Sequence, residues 1–313
     1  MVCCIKWNSL SLPAWQERFA RIRRTNLLQS YDYARAICPL NRQKARWGLI
    51  TINGEEAGLV QVLEASLCGT LLHAVMLDRG PLWFDGFGAP DHVESFFNTF
   101  HKEFPRRFGR KRRVIPEVRE ATGGPDLLTD LGYIRHPAPG YQTVWLDLTS
   151  DLETLRKNLK SQWRNKLNKA EKAGLEALWN SGSEDFSAVL RHYSQDRAIK
   201  GYDGPSVRLL QSLHKTFGRN LWIGRAVLKG EMIAAIILIC HGTGATYQVG
   251  WTSEKGKQVA AHNLLLWQAV GRLKEAGVKD FDLGGINDES AQGVRDFKKG
   301  MGGTVVTLMG QYS

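Results

Sequence analysis

Residues 46–64 read RWGLITINGEEAGLVQVLE, and residues 220–240 read NLWIGRAVLKGEMIAAIILIC. Each is a pair of apolar runs joined by a two-residue turn, Asn53-Gly54 in one and Lys229-Gly230 in the other, with a glutamate directly after it. A turn of this length needs positive φ at its central residues, so Asn-Gly between apolar runs is a strong hairpin signal. The same succession follows both hairpins. A third apolar run comes next, TLLHAVMLDRG at 70–80 and ATYQVGWTS at 245–253. An amphipathic helix is expected over 91–108 in the first case and 260–276 in the second, where Leu264, Leu265, Trp267, Val270 and Leu273 fall on one side. Each helix leads to another strand, RRVIPEV at 112–118 and VKDFDLGG at 278–285. The rhythm predicts an α/β protein made of two α+β units with mixed sheets. The break is expected near residue 150, where TVWLDLTSDLETLRKNLKSQW (143–163) passes from a strand into a helix opened by Thr149, Ser150 and Asp151. Domains of 1–148 and 149–313 follow, packed side by side, with the last strand free to pack back towards the first. No segment sustains the paired heptads of a coiled-coil arm.

The composition narrows the function. A chain of 313 residues that is 43% hydrophobic can bury a large core. Forty-two basic against 31 acidic residues leave a formal charge of +11, which favours nucleic acid, phosphorylated small molecules or an acidic lipid surface as partners. Five scattered cysteines, Cys3, Cys4, Cys38, Cys68 and Cys240, contain no CxxC pair and no histidine spacing suited to zinc. They predict a reducing, cytoplasmic setting and no metal site. The start, MVCCIKWNSLSLPAW, lacks a secretory apolar segment, and MIAAIILIC (232–240) is too short to span a bilayer and reads as a buried strand. No Walker loop, dinucleotide fingerprint or GxSxG elbow is present.

The candidate chemistry is cationic. In LRKNLKSQWRNKLNKAEKAG (155–174) the apolar residues recur at helical spacing, and Arg156, Lys157, Lys160, Arg164, Lys166 and Lys169 take the remaining surface. After the first turn only Glu171 answers them, so phosphate contact by Lys160, Arg164 and Lys169 stands against an ordinary solvated face. RRFGRKRR (106–113) forms a second basic cluster, for which the solvated face is favoured. SEKGKQVAAHNLLLW sets Gly256 and lysines at a helix start, where free N–H groups bind anions, but it is a poor match to a coenzyme A pyrophosphate loop. Arg79 in DRGPLW (78–83) ends a strand at a Gly-Pro turn. Arg197 and Tyr202 in SQDRAIKGYDG (194–204) combine a cation and a phenol that could grip phosphate or close a surface ion pair. Finally FKKGMGG (297–303) reads as a helix end with lysines on the C-terminal dipole, a glycine stop and a strand, which leaves Phe297 unexplained.

Several of these stretches together resemble the FemABX family of peptidyltransferases. They are QSYDYARA (29–36), SQWRNKLNKAEKAGL (161–175), HNLLLWQAVGRLKEAGVKDFDLGGIN (262–287) and GVRDFKKGMGG (293–303). The resemblance implies two tandem GNAT-like acyltransferase domains. It also implies a transferase that moves an amino acid from aminoacyl-tRNA, its donor co-substrate, to a free amine on a nucleotide- or lipid-linked peptidoglycan precursor. No other cofactor is implied, and a peripheral association with a membrane surface is compatible. Phe297 and Lys298 would lie at the acylated RNA end, with Lys299 beside them on the phosphates. Arg197, Tyr202 and Tyr247 would hold the acceptor, with Arg35 as a further cation for it, and Glu117 would be the acidic group near its amine; Arg79 joins these candidates for substrate contact from its strand-end position alone. Two departures bear on the acceptor: Ile37 stands near the position of the family's phosphate-binding lysine, leaving Arg35 as its nearest substitute, and the spacing from Arg197 to Tyr202 is one residue longer. Two alternatives remain open at this level: an N-acyltransferase of the same fold using acetyl-CoA or another acyl-CoA, and a non-catalytic module binding RNA or a membrane surface.

Overall fold

The computed structural model describes residues 1–67, 71–120, 126–287 and 291–313. The chain forms two compact units, one of Met1–Gln142 with Val306–Ser313 and one of Thr143–Val305. The first contains β1 (Cys3–Trp7), α1 (Leu12–Arg21), α2 (Tyr31–Asn41), β2 (Lys44–Ile52), β3 (Glu55–Leu67), β4 (Leu72–Gly80), β5 (Leu82–Trp83), α3 (Pro90–Glu103), β6 (Arg110–Pro116) and α4 (Leu127–Asp130). Its sheet has the order β1-β2-β3-β4-β6, with β5 paired to β3. Neighbours are antiparallel except β4 and β6, the parallel pair joined through α3. The periodicity explains the core: Ile50, Val60, Val62, Val75 and Leu77 from the strands meet Phe96, Phe97 and Phe100 from α3. That helix stops at Glu103, short of the expected 108, because Pro105 removes a donor and restricts Phe104 before it.

The second unit repeats the theme. It runs β7 (Gln142–Asp147), α5 (Leu152–Asn158), α6 (Ser161–Glu171), β8 (Glu176–Asn180), α7 (Ser183–Lys200), α8 (Val207–Phe217), β9 (Leu221–Leu228), β10 (Glu231–His241), β11 (Gly244–Thr252), α9 (Glu254–Gln258), α10 (Ala261–Glu275), β12 (Asp280–Gly285), α11 (Gln292–Lys299) and β13 (Thr304–Thr307). The sheet order is β13-β7-β12-β11-β10-β9-β8, and β11 and β12 are the parallel pair, joined through α10. Both hairpins have positive φ at both turn residues, 49° and 90° at Asn53 and Gly54, 52° and 81° at Lys229 and Gly230. Ile233 to Ile239 on β10 are fully buried, as their unbroken apolar run requires.

Two local differences from the sequence reading have physical reasons. The units divide at Gln142/Thr143 rather than 148/149, because β7 pairs with β12 through Leu146↔Phe281 and Trp145↔Asp282. The basic helix is broken into α5 and α6: Leu159 and Lys160 are extended, and the Lys160 amide donates to the Gly300 carbonyl at 2.9 Å. Gly302, at φ 79°, passes so close to Asn158 that an added Cβ would lie 2.3 Å from its carbonyl oxygen. Gly302 therefore serves the packing of the segment after α11 against this break, while Gly303 packs on β7, where an added Cβ would lie 2.6 Å from the Trp145 carbonyl oxygen, and Gly300 on the Trp163 ring.

Candidate active site

Two strand irregularities open a cavity in the second unit. The parallel ladder of β11 and β12 ends at Thr246↔Asp282. At the next step the register of β11 against β10 shifts, with Leu238 opposite Tyr247 and Ile237 opposite Val249, so Gln248 is the extra residue of a bulge. A bulge of this kind re-aims side chains and ends regular pairing. Beyond it lies a cavity of about 730 Å³, walled by β11, the α9–α10 junction, the end of β12, the 202–205 segment, α7 and α11.

Lys298 is a buried residue in the wall of this cavity. It is 8% exposed, and its ammonium donates to the Gly285 carbonyl at 2.8 Å and lies 5.6 Å from the centre of the Tyr247 ring. A lysine has three donors, so among the described residues two remain for a ligand. Burial pulls its pKa down to about 8, against a partial opposing pull from Asp282. Asp282 is itself buried and fixed, accepting from the Thr143 hydroxyl and from the Gly284 amide at 2.8 Å. Phe297, one residue earlier on α11, sets its ring against Trp163 at 5.9 Å and edge-on to His262 at 5.4 Å.

His262, on the first turn of α10, shares a hydrogen bond of 3.0 Å with the Tyr247 hydroxyl. Burial, reinforced by Lys298, lowers its pKa to about 4, so the imidazole is neutral at pH 7. Burial likewise raises the Tyr247 phenol. The pair is possible only because residue 250 is glycine: a Cβ there would sit 2.0 Å from the Tyr247 hydroxyl and 2.4 Å from His262 Cε1. Asn263 next to it is 4% exposed and its side-chain nitrogen has no hydrogen-bond partner among the described residues.

Of the residues singled out from sequence, Phe297, Lys298, Tyr247 and Tyr202 line this cavity. Tyr202 is raised by burial and by Asp196, to which its phenol is hydrogen-bonded. Arg197 does not join the lining; its Nε donates to the Tyr202 carbonyl at 3.4 Å and holds the segment after α7. Lys299 and the basic face of α6 also lie off the lining: Arg164 donates to the Lys157 carbonyl at 3.3 Å, and Lys160 and Lys169 are exposed. Lys166 on the same helix does line it. Arg156 is answered across the helix break by Glu171 at 2.7 Å. Gly256 is required for packing, since a Cβ would lie 2.3 Å from the Ile233 carbonyl, and its amide donates to Ser253 Oγ at 3.1 Å.

In the first unit, Glu117 and Arg79 hold each other through two hydrogen bonds of 2.7 and 2.9 Å. Both Glu117 oxygens are engaged, and Arg79, 6% exposed, also lies over the Tyr141 ring. Glu117 is thus built as a counter-ion, and an acidic role towards an amine would require that pair to open. Arg35 is solvent-facing and pairs with Asp32 one turn earlier on α2 at 3.8 Å. His262, Asp196, Lys166 and Asn263 are cavity residues that the sequence reading did not single out as site residues; a histidine on the first turn of a helix carries no spacing signal of its own.

Residues 157–299 match the acetyltransferase (GNAT) domain family. No curated protein sequence matches the chain. Among solved structures, FemX superposes with a TM-score of 0.80 at 13% identity, over 98% of this chain and 96% of that one. A conserved protein of unknown function from Bacteroides thetaiotaomicron gives 0.59 at 13% identity, over 99% and 98%. The C-terminal DUF2156 domain of an Agrobacterium fabrum protein assigned as a lysylphosphatidylglycerol synthetase gives 0.54 at 13% identity, over 95% and 91%. Among the described residues no helix is long and apolar enough to cross a membrane. The resemblance to the FemABX family is borne out in the fold: this is a chain of tandem GNAT-like architecture, shared along nearly its whole length with FemX, and its second unit carries the match to the acetyltransferase (GNAT) domain family.

Proposed function

We propose that the protein is an aminoacyl-tRNA-dependent aminoacyltransferase that forms a peptide bond on a free amine of a cell-wall precursor peptide. The observation that carries this reading is the pairing, in one open cavity, of a buried ammonium with spare donors and an aromatic ring one residue away. An aminoacyl ester is already activated, so no covalent enzyme intermediate is needed; alignment and charge stabilisation suffice. The amine nitrogen bonds to the ester carbonyl carbon, the bond from that carbon to the ribose oxygen breaks, and the proton lost by nitrogen ends on the departing ribose oxygen. Lys298 stabilises the charge that develops, on the carbonyl oxygen or on the terminal phosphates, and Phe297 stacks on the terminal base, worth about 1–3 kcal/mol. Tyr247, oriented by neutral His262, supplies a hydroxyl at the same wall.

A second reading, transfer from an acyl-CoA, is favoured by the match of residues 157–299 to an acetyltransferase domain. Against it, the Gly256 amide is already satisfied by Ser253, and Lys255 and Lys257 are paired with Glu231 and Glu254. The test is incubation with bulk charged tRNA and a nucleotide-linked muropeptide, read by product mass. The expected product is the acceptor plus one residue, absent with uncharged tRNA. A product only with acetyl-CoA, with thermal stabilisation by that ligand, would replace the first reading with the second.

A further inference from the structure

The first unit has an apolar tip that its core does not use. Phe108 is 97% exposed, and Leu67, Leu71 and Leu72 are 64%, 65% and 47% exposed. They belong to one end of one sheet. Leu67 is paired directly with Leu72 across β3 and β4, and Gly109 packs on the same hairpin, since a Cβ there would lie 2.2 Å from the Leu71 carbonyl oxygen. The His73 amide donates to the Gly109 carbonyl at 2.8 Å, which pins the 105–109 turn beside the leucines. Four large apolar side chains open at one end of a sheet differ from the singly scattered exposures common on folded surfaces.

A basic collar surrounds them. Arg106, Arg107 and Lys111 are exposed, and Arg110 is half-buried with its Nε on His73 at 3.3 Å. The register pairs Ala74 with Lys111, which puts Lys111 on the face that carries Leu72 and Leu67. Arg107 also donates to the Phe108 carbonyl at 3.2 Å, and further along the sheet Arg46 meets Glu64 and Glu103, and Arg113 meets Asp78. An apolar tip ringed by cations matches a surface with an anionic shell over a hydrocarbon layer. An RNA backbone would answer the arginines and one aromatic ring, but would give three leucines nothing to bury against.

We propose that this end of the first unit docks on an anionic lipid bilayer, with Phe108, Leu71 and Leu72 inserted among the headgroups and Arg106, Arg107 and Lys111 on the lipid phosphates. The inference is independent of the transferase reading, because it concerns binding alone. The test is flotation of the full chain with vesicles of phosphatidylcholine alone or with a quarter phosphatidylglycerol. The chain floats with the anionic vesicles and not with the neutral ones. Phe108→Ser with Leu72→Ser lowers partitioning about tenfold or more, from the lost apolar area. Arg106→Gln with Arg107→Gln lowers it about thirtyfold at low salt, at the usual contribution per basic residue. Thermal unfolding of all variants stays that of the parent, because the replaced side chains are exposed. Failure of the parent to float overturns the proposal, as does unchanged flotation of the serine pair. Concentration-dependent dimers lost in the serine pair would assign the tip to a second copy instead. A tRNA gel shift weakened only by the arginine pair, with no flotation, would assign the collar to RNA.

Discussion

Lys298→Met separates what the buried ammonium does for folding from what it does for transfer. Its pKa of about 8 lies some 2.5 units below the ordinary 10.5, so holding the charge in place costs about 3 kcal/mol at neutral pH. Methionine keeps the apolar stem and removes both the charge and the donor to Gly285. The lost hydrogen bond takes back roughly 1–3 kcal/mol, leaving the variant between equal and about 2 kcal/mol more stable at pH 7. The sign follows from proton uptake: between pH 8 and 10.5 the unfolded lysine holds a proton that the folded one has released. Parent stability therefore climbs across that window, and the penalty is fully present below pH 8. The variant lacks this climb. Urea unfolding of both proteins at pH 7, 8, 9 and 10 measures the difference directly, and other titrating groups cancel between them. Transfer should fall about 10²- to 10³-fold, the usual loss for a preorganised charge. Destabilisation beyond about 3 kcal/mol, parallel pH profiles, or turnover within threefold of the parent would each refute the reasoning.

Three further outcomes are expected. His262, folded pKa about 4 against 6.5 unfolded, makes stability fall by up to about 3 kcal/mol as pH drops from 6.5 towards 4, and His262→Gln flattens that fall in urea midpoints. Gly250→Ala forces a methyl into the Tyr247–His262 pair and should cost about 1–3 kcal/mol together with transfer rate; a variant that unfolds and turns over like the parent would show that the close approach does not matter. Glu117→Gln leaves buried Arg79 facing a neutral amide and should cost about 3–5 kcal/mol in stability while transfer per folded molecule persists. Retained stability with abolished transfer would instead make Glu117 a participant in the chemistry.

Part of this protein is written in local pattern. The turns at 53–54 and 229–230, the unbroken run on β10 and the apolar spacing of α10 each dictate their element without help from distant residues, because backbone preference and periodicity act over a few positions. Phe297 and Lys298 were visible as an unusual pair for the same reason. The break at Leu159–Lys160 was not, since it exists to pair Lys160 with Gly300, some 140 residues on. Nor was the cavity, which opens where a ladder between β11 and β12 stops and a bulge begins, a matter of register between strands. His262 acquires its depressed pKa, its tyrosine and its place beside Lys298 only when α10 and α11 are laid against β11. Local sequence thus determined the elements and the repeated order. The charge states and the company of the site residues were decided by burial and long-range contact, because desolvation depends on everything packed around a group and not on its neighbours in the chain.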